Sequence, residues 1–205
     1  MAKYVLYSLL SFFPFPVGAQ QAAYVPELLA GHRSVSYLHN VTYRLSDRMS
    51  LSNLTLFDTE YCHDVRNIFF IRNMFSYSLF PGLAVNVFFG VKNPGSFTGV
   101  ALQYTYRKTT FVLAYSAGAT YQKDVTLEQS LRLEYFPRIS PQYQAYFNLL
   151  AIANVNTTEY QRGLLYLRLG LKKNNLAYGL GFNLDQFNNN AQSLENAGSF
   201  IRFQF

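Results

Sequence analysis

The sequence predicts an all-β fold: a closed, antiparallel, up-and-down transmembrane β-barrel. Three observations carry that reading. Eleven short segments alternate apolar and polar residues with a period of two, compact turn signals separate most of them, and the chain holds 17 Tyr and 19 Phe but only 14% charged residues. Side chains of a strand point alternately to its two faces, so each segment offers one wall to lipid and the other to water. A soluble domain carries about 25% charged residues, and the aromatic surplus here suits girdles at two water–lipid interfaces. Beyond the first twenty positions no apolar run reaches the roughly 18 residues that a membrane helix needs.

The N-terminus reads as an export signal. Lys3 gives a positive start, residues 4–17 are mostly apolar, and Val17-Gly18-Ala19 places small residues at a cleavage site before Gln20. Pro14 and Pro16 argue against a stable helix there. The expected organisation is a signal peptide over 1–19, a lead-in over 20–33 that lacks the period, and the barrel over 34–205.

The clearest strand is 161–172, where Gly163, Leu165, Leu167, Leu169 and Leu171 oppose Arg162, Tyr166, Arg168, Gly170 and Lys172. Helical spacing would put apolar residues three and four apart, and this segment does not. The next, 175–185, repeats the pattern with parity reversed: Leu176, Tyr178, Leu180, Phe182 and Leu184 against Ala177, Gly179, Gly181, Asn183 and Asp185. Similar alternation marks 34–45, 66–80, 82–92, 96–108, 109–122, 125–137, 142–155 and 197–205. Between segments lie Ser46-Asp47, Pro81-Gly82, Asn93-Pro94-Gly95, Gln122-Lys123-Asp124, Ser140-Pro141 and 172–175, residues that favour turn dihedrals. Hairpins joined this tightly make a meander.

Two places break the pattern. Within 48–58 the apolar parity slips from Met49 and Leu51 to Leu54 and Leu56, which predicts a bulge near Ser52 or Asn53. In 66–80, Asn73 falls on the otherwise apolar face of Phe69, Ile71, Phe75 and Tyr77. Eleven segments is also an odd number, whereas single-chain bacterial barrels have even strand counts. The expectation is ten or twelve strands. Ten is favoured because 48–58 is irregular, and twelve requires a strand from 20–33.

The last residues, Gly198-Ser199-Phe200-Ile201-Arg202-Phe203-Gln204-Phe205, place apolar side chains at Ile201, Phe203 and the terminal Phe205. With the export signal and the hairpin series, this ending resembles outer-membrane β-barrel proteins of Gram-negative bacteria. The resemblance is one of architecture and points to no functional subfamily. It implies an outer-membrane location, contact with outer-membrane lipid, and Ile201, Phe203 and Phe205 as the signal read by the barrel-assembly machinery. It also implies short periplasmic turns, a periplasmic lead-in and C-terminus; of the two connections longer than turns, Asp58–Val65 and Gln186–Ala197, the asparagine-rich second is expected outside.

Function classes narrow by elimination. Lys and Arg are scattered instead of forming a run, so nucleic acid is not an expected partner. The single cysteine, Cys62, forms no internal disulfide. The histidines are His32, His39 and His63, and no Gly-x-Ser-x-Gly elbow accompanies them. The loop Asp58-Thr59-Glu60-Tyr61-Cys62-His63-Asp64 gathers metal-binding residue types without the spacing of a zinc or calcium loop, so neither metal nor cofactor is expected. The informative polar residues belong to the inner wall. Alternation turns Arg132, Arg162, Arg168 and Arg202 inward with Glu128, Glu134 and Asp185, because charge at membrane depth avoids lipid. Lys92, Arg107 and Lys172 are expected at the rims. The expected function is a structural barrel or a narrow passive channel with an arginine-containing interior, its lumen mostly filled by side chains. The alternatives are an outer-membrane enzyme acting on lipid or peptide through His39 or the 58–64 loop, and an accessory subunit of a larger outer-membrane complex contacting it through 186–197.

Overall fold

The computed structural model describes residues 22–62, 67–93, 95–156, 160–187 and 192–205. The expected signal peptide, His63, Asp64 and the Asn188–Asn190 run lie outside them. The described residues form twelve strands: β1 (Ala22–Gly31), β2 (Ser34–Arg44), β3 (Met49–Glu60), β4 (Ile68–Phe80), β5 (Leu83–Lys92), β6 (Gly95–Lys108), β7 (Phe111–Tyr121), β8 (Val125–Tyr135), β9 (Gln144–Val155), β10 (Tyr160–Lys173), β11 (Leu176–Phe187) and β12 (Gln192–Phe203). Each pairs antiparallel with its sequence neighbours, and β1 closes on β12 through Glu27↔Arg202 and Gly31↔Gly198. The closure leaves no sheet edge unpaired. The start of β1 and the C-terminal residues reach the same rim, here called the terminus end; the opposite rim is the far end.

Twelve strands replace the ten that were favoured: the irregular 48–58 segment is a strand after all, and the expected lead-in supplies another. Alternation fails to announce β1 for two reasons. Its outward face carries Pro26, and its inward face carries Leu29 among Tyr146, Ala177 and Phe200, an apolar cluster inside the barrel. The expected bulge in β3 is absent too: pairing runs unbroken through Ser52 and Asn53 to both neighbours. What changes is the character of each wall. Leu54 and Leu56 point inward onto a second apolar cluster, while Asn53 points outward beside Asn73. Register shifts occur instead at Ser78/Phe80 and Tyr160/Arg162.

The turns follow their residue chemistry. Pro81-Gly82 links β4 to β5 with Gly82 at φ 88°, and Asn174 takes φ 51° between β10 and β11. Both residue types tolerate that region. The long 186–197 connection is mostly strand, since β11 and β12 stay paired to Phe187↔Gln192. Likewise, β3 continues to Glu60.

The outer wall is apolar over most of its surface, with Val87, Phe89, Leu102, Leu127, Leu169 and Leu180 all exposed. A patch on β1–β4 departs from this. The hydroxyls of Tyr24 and Tyr37 meet at 2.9 Å, and Tyr37 lies 3.1 Å from His39 Nδ1. His39 Nε2 lies 3.2 Å from Asn53 Oδ1, which also accepts from Thr55, and Asn53 Nδ2 donates to Asn73 Oδ1 at 2.9 Å.

Candidate functional site

The interior is divided along its length. Toward the far end, Leu56, Ile68, Phe70, Phe88, Phe97 and Tyr166 form a buried cluster. Glycine makes this possible: the Phe97 ring lies over Gly90 and the Phe88 ring over Gly99, in space that a Cβ would occupy. The rings therefore lie along the wall and fill half the lumen. Two ion pairs cross the same zone, Arg72 Nη1 to Glu128 Oε1 at 2.9 Å and Arg162 to both oxygens of Asp185 at 3.1 and 2.8 Å. Arg72 also stacks on Phe70 and Phe88, and Arg162 on Phe187.

The far rim explains the acidic segment that resembled a metal loop. Arg33, in the two-residue turn between β1 and β2, donates to Asp58 Oδ2 and Glu60 Oε1 at 2.5 Å each. Both carboxylates face inward and are buried. A guanidinium occupies them, and the described residues contain no group of three or more His, Cys, Asp or Glu suited to a metal.

Toward the terminus end the lumen opens into a cavity of about 510 Å³ that reaches the rim at Gly82, Leu83 and Arg107. Five arginines line it, Arg72, Arg107, Arg132, Arg168 and Arg202, against one carboxylate, Glu27. Asn40, Gln103, Ser116 and Ser130 add neutral polar groups. A chain of charges crosses its wall. Arg168, only 2% exposed, donates to Glu27 Oε1; Arg202 reaches Glu27 Oε2 at 3.4 Å and Glu134 Oε1 at 3.5 Å; Arg132 donates to Glu134 at 2.6 Å. Arg132 keeps 42% of its side chain exposed, so its charge faces the cavity.

All seven residues expected to line the lumen, Glu128, Arg132, Glu134, Arg162, Arg168, Asp185 and Arg202, sit inside the barrel, sorted into two groups. Glu128, Arg162 and Asp185 belong to the filled half, Arg132, Arg168 and Arg202 line the cavity, and Glu134 stands beside it, paired with Arg132 and Arg202. The three supposed rim cations separate. Arg107 lines the cavity and Lys172 lies over the Phe136 ring, while Lys92 is buried beside Phe97. Glu27, Arg33 and Arg72 were missed. Glu27 and Arg33 stood in the expected lead-in, and Arg72 on a segment read from its apolar face. Ile201, Phe203 and Phe205 are exposed on the outer wall at the terminus end, where the Phe205 ring stacks on Tyr24 at 5.7 Å. His39 also faces outward, where its hydrogen-bond partners among the described residues are Tyr37 and Asn53.

No protein-family model matches the chain, and no curated protein matches it in sequence. Solved structures do share the fold. The NanC porin superposes with a TM-score of 0.55 at 8% identity, covering 90% of this chain and 99% of that one. The KdgM porin gives 0.52 at 11% identity, covering 90% and 98%. At such identities the likeness concerns architecture alone: this chain has the fold of an outer-membrane β-barrel.

Proposed function

We propose that this protein is an outer-membrane barrel that admits small anionic solutes to a positively charged vestibule and passes them through a narrow, aromatic-lined far half. The observation that carries the reading is the charge of the 510 Å³ cavity, whose five arginines meet only three carboxylates, Glu27 in the lining and Glu128 and Glu134 beside it. A low-dielectric wall lined by one sign of charge concentrates the opposite ion and sets selectivity. The porin likeness supports a channel, and one of the superposed structures is a KdgM porin in complex with disordered oligogalacturonate, a polyanion. The filled far half limits passage to small solutes or to moments when the aromatic rings shift.

On this reading the chain is exported by a signal peptide over 1–19, the terminus end faces the periplasm, and outward Ile201, Phe203 and Phe205 serve the assembly machinery. The test is reversal potential in planar bilayers under a potassium chloride gradient. Anion selectivity that falls in R132E and R107E supports the proposal. A folded, heat-modifiable protein that stays silent ends the channel reading and leaves a structural role, while cation selectivity ends the anion assignment.

A further inference from the structure

Lys92 ends β5 with its side chain turned into the filled half of the barrel, 8% exposed. Its ammonium lies 5.0 Å from the centroid of the Phe97 ring. Among the described residues it has no carboxylate within ion-pair distance and no hydrogen-bond acceptor. It borders a cavity of about 20 Å³ together with Arg72, Arg162, Glu128 and Asn154.

The nearby carboxylates are already committed. Glu128 receives Arg72 on one oxygen and Thr120 and Asn154 on the other, and Asp185 holds Arg162 through both of its oxygens. Around the cavity three cations therefore face two carboxylates, a local excess of one positive charge beside aromatic and aliphatic side chains; it is balanced only nearer the far rim, where Arg33 alone faces Asp58 and Glu60. A buried ammonium needs a counter-charge, and an aromatic face supplies only a quadrupole. Volume narrows the ligand: about 10–15 Å³ accepts a single water-sized sphere, so this space suits one water or one monatomic ion better than a tetrahedral oxyanion, and the unpaired ammonium favours the anion.

We propose that this cavity is a binding site for one halide ion, chloride under ordinary conditions, contacted by Lys92 Nζ and neutralised by Lys92, Arg72 and Arg162 together. Nothing in the site requires that the barrel conduct, and the ion bound there is structural to the filled half. It also explains how a lysine comes to be buried in the interior, where rim placement was expected.

The test uses the full refolded chain, crystallised in sodium bromide, with diffraction recorded at the bromine edge. An anomalous peak touching Lys92 Nζ, lost in K92M grown identically, is the expected result. Absence of the peak in the unsubstituted protein overturns the proposal, as does a peak that persists in K92M, which marks an adventitious ion only. A solution measurement on the unsubstituted chain guards against misfolding of the variant. At constant ionic strength its thermal midpoint is expected to rise and saturate as chloride replaces gluconate; equal midpoints in the two salts would sink the site.

Discussion

Arg168 Nε donates to Glu27 Oε1 at 2.8 Å, with Nη2 2.7 Å from the same oxygen, joining β10 to β1 across the inside of the closure. Arg168 also donates to the carbonyls of Leu167 and Phe182, so the guanidinium ties three strands together. Both partners are buried, and the pair sits where the first and last strands must find each other. Removing one partner of such a pair leaves an uncompensated charge at about 3–5 kcal/mol. E27Q is expected to lower stability by that order in urea titrations of the refolded barrel, R168M by less because Arg202 still reaches Glu27 at 3.4 Å, and E27Q/R168M by clearly less than the two single changes summed. Additive losses would show that the residues do not act as a pair.

The aromatic cluster of the far half restricts passage on the proposed channel reading. Phe88 and Phe97 both fill lumen beside glycines. F88A and F97A are each expected to raise single-channel conductance, while costing roughly 3–5 kcal/mol of stability as large-to-small interior changes do. Conductance unchanged in both variants places the restriction elsewhere.

Gly90 is the place for the converse experiment. A Cβ there meets the Ile71 carbonyl and the Phe97 ring, so G90V is expected to push Phe97 off the wall and destabilise the fold by about 1–3 kcal/mol. Fluorescence-detected unfolding reads the loss directly; a neutral G90V contradicts the described packing of Phe97.

On the outer wall, Asn53 is the hub of the polar patch, with His39, Thr55 and Asn73 all directed at its amide. N53L strands three groups, at about 1–3 kcal/mol for each partner that stays buried. N53L together with N73L and H39F is expected to recover most of that loss, because an apolar patch suits lipid. The comparison is made by unfolding in phospholipid vesicles, and a triple variant no better than N53L counts against the network.

Turn chemistry gives the smallest effect. Gly82 holds φ 88° and its carbonyl accepts from Thr105 N at 2.7 Å. G82A is expected to cost about 1 kcal/mol, the strain of a side chain in the left-handed region. Refolding yield and thermal midpoint both report it.

Period-two alternation is a property of single strands, so β5 through β11 and their turns were written plainly in the sequence, together with the inward set of Arg132, Arg162, Arg168 and Asp185. It cannot tell which neighbour shares the interior. Leu54 and Leu56 looked like a slip of phase because a strand was expected to keep its apolar side outward, and Leu29 lay in a stretch read as a lead-in, yet each meets partners brought by distant strands. The same holds for charge. Lys92 read as a rim residue and Arg33 as the end of a lead-in, and only closure of twelve strands set one beside Phe97 and the other between Asp58 and Glu60. The sequence by itself determined the walls, through residue-by-residue polarity. The tertiary structure decided the contents, which half is filled, which charges meet and which is left over, because those depend on distances across the barrel that local periodicity does not encode.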